Sequence, residues 1–169
     1  METIIYVAVS ANGLILLTSE DNYQIPVELL QDCMGLAHQT GNMVIGLNTY
    51  RLFSNNANAL EAFKGVEIAV LSSSCEEELE GVTVLKNIDA VREFYKAKGY
   101  SKIFVAGGAY TYQSFLKEGH ADEFYINYLP ILTAAGALLV SHIPADKILE
   151  IKENKVIAEN IVQLHFTTK

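Results

Sequence analysis

The sequence of 169 residues predicts an α/β fold, a mostly parallel central sheet with an antiparallel hairpin at its C-terminal edge. Three observations predict it. From Thr3 to Leu116, short β-branched runs alternate with stretches of helical periodicity, as in parallel strands joined by helices. After the long strand-like run Glu123–Leu129, the runs Leu138–Val140, Ile148–Glu153 and Ile161–Phe166 follow without long helices between them, which suits antiparallel strands. Between these halves, Gly107 and Gly108 stand where a buried run (Ile103–Ala106) gives way to an amphipathic helix. Adjacent glycines there let backbone approach a ligand, and the helix would aim free N–H groups at the same point. A plain strand-to-helix turn would use the same glycines.

Taken in order, Thr3–Ser10 is a buried strand, Asn12-Gly13 a turn, and Leu14–Leu17 a second short run. Thr18–Gln24 is polar and loop-like. Pro26 opens a helix that runs to about Gln39, with Leu30, Cys33, Met34 and Ala37 as its apolar stripe and Glu28 on its polar face. Met43–Leu47 is the next strand, closed by Gly46. Asn48–Asn58 is partly helical, Leu60–Phe63 is helical, Val66–Leu71 is a strand, and Ser72, Ser73 and Ser74 follow it directly. Val82–Leu85 is a strand and Asp89–Lys98 a helix stopped by Gly99. In open sheets of this kind ligands bind at the carboxyl ends of the strands. Those ends carry Ser10, Gly46, Ser72 and Gly107, all small or polar.

Length favours one domain over residues 1–169. Half the residues are hydrophobic, enough for a substantial core. The net charge of −8, from 20 acidic and 12 basic residues, opposes binding to nucleic acid or anionic membranes. No run is long enough to cross a membrane, and Met-Glu-Thr-Ile-Ile-Tyr lacks the basic region of a signal peptide. Cys33 and Cys75 lie far apart and read as reduced thiols, so a cytoplasmic protein is expected. The sequence contains no Gly-x-Gly-x-x-Gly, no phosphate-loop Gly-Lys-Ser/Thr, no Gly-x-Ser-x-Gly and no Cys-x-x-Cys. His38, His120, His142 and His165 have no metal-ligand spacing, so no metal site is expected.

Four segments resemble the dihydrofolate reductase-like superfamily, and more closely the reductase domain of the riboflavin-pathway deaminase/reductase in its stand-alone form. They are Val7-Ala8-Val9-Ser10-Ala11-Asn12-Gly13-Leu14-Ile15, Val44-Ile45-Gly46-Leu47-Asn48-Thr49-Tyr50, Val70-Leu71-Ser72-Ser73, and Val105-Ala106-Gly107-Gly108-Ala109 through Leu116. Gly119, Asp122-Glu123 and Leu129-Pro130 extend the last match. The resemblance implies a three-layer α/β/α fold, NADPH as hydride donor, and a pyrimidine- or pterin-like heterocycle as substrate. It places Ala8 and Ile15 beside the nicotinamide. Gly46, Thr49, Gly107, Gly108, Ala109 and Tyr110 would lie along the pyrophosphate, with a cis peptide joining the glycine pair. Ser72 and Ser73 would face the adenosine ribose and its phosphate.

On the substrate side, Ile25-Pro26-Val27-Glu28-Leu29 is similar to the family's helix start, which makes Glu28 the candidate proton-handling acid. A solvated glutamate favouring the helix dipole would look the same. Glu20 and Asp21 are alternative acids that would contact substrate. Asn127 would lie behind the acid, and Tyr50 is either a substrate contact or a core residue. The family's Gly-Arg-x-Thr has lost its arginine to Leu47, which cannot form a bidentate phosphate contact, so NADH stays open as cofactor. The three serines or Lys86 would have to substitute. A homodimer is expected by analogy. Two rivals remain: a non-catalytic nucleotide-binding or ligand-sensing protein, and a true dihydrofolate reductase, whose usual tryptophan is missing because the chain has no Trp.

Overall fold

Strands buried on both faces read as continuous apolar runs, and four such runs build the centre of this sheet. A computed structural model describes residues 1–16, 25–55 and 57–169. Its elements are β1 (Glu2–Ser10), β2 (Leu14–Ile15), α1 (Val27–Thr40), β3 (Asn42–Gly46), α2 (Leu47–Ser54), α3 (Ala57–Glu61), β4 (Glu67–Leu71), β5 (Thr83–Leu85), α4 (Ile88–Ala97), β6 (Lys102–Val105), α5 (Ala109–Lys117), β7 (Glu123–Leu129), β8 (Ala137–Leu138), β9 (Leu149–Ala158) and β10 (Ile161–Thr168). The sheet order is β5-β4-β3-β6-β1-β7-β10-β9. It is parallel from β5 to β7, and β10 and β9 add an antiparallel hairpin. The short β2 and β8 pair beside β1.

The period-two alternation sends neighbouring residues to opposite layers. Ile5, Val7, Val44, Ala69, Ile103 and Val105 pack under α4 and α5, against Val91, Tyr95, Tyr112 and Phe115. Ile4, Tyr6, Met43, Ile45, Val70 and Phe104 pack on the other face with Leu29 and Ala37 of α1 and Tyr50 of α2. This is the expected α/β/α sandwich. Three buried polar groups tie these elements together. Asn42 donates to Lys102 O at 2.9 Å and accepts from Phe104 N at 3.1 Å, which locks β3 to β6. Tyr95 OH donates to Met43 O at 2.8 Å, fixing α4 on β3. Tyr112 OH donates to Tyr6 O at 2.7 Å, fixing α5 on β1. Burial pushes the Tyr112 hydroxyl well above its ordinary value, so it stays a neutral donor. Each bond of this kind contributes about 1 kcal/mol.

Three expectations need correction. Leu47 begins α2 instead of ending β3, because Gly46 is already the last residue of the strand and the N-cap of the helix. In α1 the buried stripe starts at Leu29, 3% exposed, while Leu30 is 38% exposed. Leu29, Cys33 and Ala37 follow one another at i, i+4, and this row faces the sheet. β9 continues to Ala158, past the expected end at Glu153, because Asn154, Lys155, Val156 and Ala158 also find partners in β10.

At the amino ends of the strands, Glu123 is almost fully buried and receives bonds from three groups. His165 Nε2 lies 2.7 Å from its Oε1, Tyr125 OH donates to that oxygen at 3.1 Å, and Lys102 Nζ lies 3.3 Å from Oε2. Burial by itself raises the Glu123 carboxyl, but the Lys102 charge and the hydrogen bonds from Lys102, Tyr125 and His165 outweigh it and hold the pKa below the usual value. A depressed carboxyl stabilises the fold above its unfolded pKa of about 4.3, and that contribution is lost as pH falls through the lower folded value. Glu123→Gln should therefore cost about 1–3 kcal/mol at pH 7. The gap to wild type in urea denaturation should close as the medium is taken below the folded pKa.

Candidate functional site

Two strand-to-helix turns meet at the carboxyl edge of the sheet. Gly46, between β3 and α2, donates its N–H to Gly107 O at 2.7 Å. Gly107 and Gly108, between β6 and α5, are joined by a cis peptide, and Gly107 has φ +131°, a conformation that side chains resist. A Cβ on Gly46 would lie 2.8 Å from Thr111 Oγ1 and 3.5 Å from Gly108 N. One on Gly108 would lie 3.3 Å from Thr49 Oγ1, and one on Gly107 would lie 3.6 Å from it. The three glycines thus leave bare backbone beside two threonine hydroxyls. Thr111 Oγ1 is fully buried and has no hydrogen-bond partner among the described residues.

The electrostatics of this corner are unusual for the chain. Both α2 and α5 start from a glycine with no side-chain cap bond and no acidic residue in the first turn. By contrast, α4 is capped by Asn87, whose Oδ1 accepts from Ala90 N at 2.8 Å, and has Asp89 in its first turn. A helix N-terminus presents unpaired N–H groups and partial positive charge. Two such ends at one point, with a buried hydroxyl left without a partner, suit a polyvalent anion such as a pyrophosphate.

The neighbouring strand ends continue the row. Gly46 is in register with Leu71, so Ser72 stands one residue further along the next strand. Ser72 Oγ accepts from Cys75 N at 3.2 Å and shapes the following turn, while Ser73 is exposed. Lys86 at this turn donates to Cys75 O and pairs with Glu76 at 2.8 Å. Leu47 packs against the core under α2, so its position supplies apolar contact where an arginine would supply charge. Ala109 is half-buried and Tyr110 exposed at the start of α5. Ser10 and Asn12 serve the β1–β2 turn. Ser10 Oγ accepts from Leu14 N at 3.0 Å, and Asn12 Nδ2 donates to Thr133 O at 2.9 Å.

Ala8, half-buried on β1, is in register with Asn127 of β7, and Ile15 is buried on β2. From Asn127 a directed chain of bonds leads to a carboxylate that sequence reasoning missed. Asn127 Nδ2 donates to Val7 O at 3.1 Å, so its Oδ1 must accept, and it does so from Gln163 Nε2 at 2.9 Å. The same Gln163 nitrogen donates to Asp32 Oδ2 at 2.8 Å. Lys155 Nζ binds Asp32 Oδ1 at 2.8 Å. Gln163 is 1% exposed, and its Oε1 has no partner among the described residues. Asp32 and Glu28 sit one turn apart on α1, and both line an open groove of about 440 Å³ with Gln31, Lys155, Val156 and Ile157. Glu28 itself is exposed in the first turn of α1.

The structure therefore brings Gly46, Thr49, Gly107, Gly108, Ala109 and Tyr110 to one corner, and sets Asn127 at one end of a hydrogen-bonded chain that ends at Asp32, with which Glu28 shares a groove. Tyr50 joins neither by a hydrogen bond. It is a core residue whose OH donates to Glu80 O at 3.1 Å. Glu20 and Asp21 lie outside the described residues. Asp32 had a sequence signal in its i, i+4 spacing from Glu28. Gln163 had one as a polar residue between Val162 and Leu164, and Thr111 had one as a hydroxyl three residues after the glycine pair.

The comparisons with known proteins bear on the fold. The Bacillus subtilis (strain 168) protein YwjB, described as uncharacterized, is 28% identical over 98% of this chain and 97% of its own length. A pyrimidine reductase-like protein from Corynebacterium diphtheriae superposes with TM-score 0.69 at 15% identity, over 99% of this chain and 92% of the other. A Thermotoga maritima diaminohydroxyphosphoribosylaminopyrimidine deaminase/5-amino-6-(5-phosphoribosylamino)uracil reductase superposes with TM-score 0.71 at 13% identity, over 99% of this chain but 56% of that one. The family model for dihydrofolate reductase matches residues 3–167, and the chain belongs to that family, with a fold of the riboflavin-biosynthesis reductase kind.

Proposed function

We propose that the protein is a cytoplasmic NAD(P)H-dependent reductase that delivers a hydride to a C=N or C=O bond of a pyrimidine- or pterin-like heterocycle. The observation that carries this reading is the meeting of two uncapped helix starts at Gly46 and Gly107–Gly108, beside the unpartnered Thr111 hydroxyl. The N–H groups at the starts of α2 and α5, with Thr49 and Thr111, would hold the pyrophosphate. Ala8 and Ile15 would wall the nicotinamide, and Ser72 and Ser73 would meet the adenosine ribose. When bound, the reduced nicotinamide supplies the hydride. The chain's own part is to position it, exclude water and deliver a proton. Glu28 is the candidate for that proton, and Asp32 holds the substrate wall in place through Gln163 and Asn127.

Preference for the phosphorylated dinucleotide should be weak. Leu47 supplies no charge, and Lys86 is engaged by Glu76. NADPH and NADH are each expected to stabilise the protein, by about 2.7 kcal/mol at 100 times Kd, with affinities within about tenfold of each other. Thermal denaturation with each ligand checks this. No stabilisation by either at millimolar concentration would remove the reductase reading.

The exposure of Glu28 favours one alternative, a dinucleotide-binding protein without turnover. Oxidation of the reduced cofactor in the presence of a heterocycle panel separates the two. We also place a homodimer contact on the edge strand β9, where Ile151 and Val156 are 58% and 68% exposed. A monomer at every concentration in light scattering would contradict that contact.

A further inference from the structure

The charges along α1 and β9 carry a statement about the substrate, which rests on the reductase reading above. From Met1 to Tyr50 the chain contains five carboxylates, Glu2, Glu20, Asp21, Glu28 and Asp32, and no lysine or arginine. Its described part forms β1, β2, α1, β3 and the start of α2. Two of its carboxylates, Glu28 and Asp32, line the groove between α1 and β9. Among the described residues the groove's one cation is Lys155, and Asp32 already binds it at 2.8 Å. The groove thus offers no uncommitted positive charge to a phosphate or carboxylate tail.

What it does offer is acceptors. Glu28 forms no ion pair among the described residues. Asp32 is anchored from beneath by the buried Gln163 amide, which is fixed in orientation. Its Nε2 is committed to two acceptors, Asp32 Oδ2 at 2.8 Å and Asn127 Oδ1 at 2.9 Å. Reversing the amide would set oxygen against both. Two carboxylates are complementary to N–H donors, and they repel anions in proportion to how little salt screens them.

We infer that this enzyme acts on a neutral or cationic, N–H-rich heterocycle without a phosphate or carboxylate tail, and that Glu28 and Asp32 set this selectivity. The relative from Thermotoga maritima is named for a phosphoribosylamino substrate, which carries the group this groove would reject.

The test uses matched pairs. The protein is first saturated with NADH or NADPH, which is checked by its own thermal shift. The complex is then titrated with 7,8-dihydrobiopterin against 7,8-dihydrofolate, and with 5-amino-6-ribosylaminouracil against its 5′-phosphate. The tail-free member of each pair is expected to bind at least tenfold tighter at low salt. Added salt should narrow the gap, because screening weakens the repulsion. Glu28→Lys, at an exposed position that should not disturb folding, is expected to narrow or invert it. Equal or tighter binding of the anionic members would overturn the inference. Failure of all four compounds to bind the saturated complex would overturn it too, while leaving the dinucleotide reading intact. Failure at the first step, with no dinucleotide shift, would instead defeat the reductase reading.

Discussion

Gly46→Val is expected to raise the dinucleotide Kd by more than 100-fold while leaving the protein folded. Gly46 has φ −83°, which any residue adopts, so the backbone does not oppose the substitution. The obstacle is space. A Cβ there sits 2.8 Å from Thr111 Oγ1 and 3.5 Å from Gly108 N, inside the corner where the two helix starts converge. The branched methyls of valine would extend further into it. Overpacking of this kind costs about 1–3 kcal/mol, measurable by urea denaturation. The loss of affinity, read by calorimetry, should exceed that cost. Gly107→Ala would mix two effects, because φ +131° strains any side chain there whatever the space. Gly46 therefore gives the cleaner test.

Asp32→Ala is expected to lower stability by about 1–3 kcal/mol and to reduce kcat/KM for any accepted substrate. Removing the carboxylate leaves a hydrogen of the fully buried Gln163 amide without an acceptor, and an unsatisfied buried donor costs about that amount. The loss of the Lys155 contact adds little, since that lysine is 41% exposed and half-exposed pairs contribute about 0–1 kcal/mol. Asp32→Asn should retain much of the stability, because its oxygen can still accept from Gln163 while its amide nitrogen faces Lys155. If Asp32 serves only structure, the asparagine variant will recover both stability and kcat/KM. If its charge also selects substrate, stability will recover and the preference for tail-free substrates will shrink. Urea denaturation and steady-state kinetics on the same preparations distinguish these results.

The sheet was legible because its inner strands are buried on both sides. Val44–Ile45, Ala69–Val70 and Ile103–Val105 are apolar at every position, and no other element tolerates that pattern next to glycine-marked helix starts. The glycine-marked corner was legible for a related reason, since glycines at strand ends advertise bare backbone. The burial of single residues was less legible. Leu29 and Leu30 are chemically identical, and only the angle at which α1 crosses the sheet decides which one is covered. Asp32 and Gln163 were missed because they pair with residues distant in sequence, and Thr111 because its burial beside Gly46 follows only from the fold. Asp32 meets Gln163 across 131 residues, and no local pattern reveals such a pairing. Tyr50 reads equally well as a site or core residue until the position of Glu80 shows where its hydroxyl goes.

The measurement that tests the account most directly is a titration of ¹⁵N-labelled protein with NADH, following the backbone amides. The account predicts saturable shifts concentrated at Leu47, Asn48 and Thr49 at the start of α2 and at Gly108, Ala109 and Tyr110 at the start of α5, with both sets lost in Gly46→Val. Saturable binding that leaves these amides unmoved and perturbs another surface would contradict it.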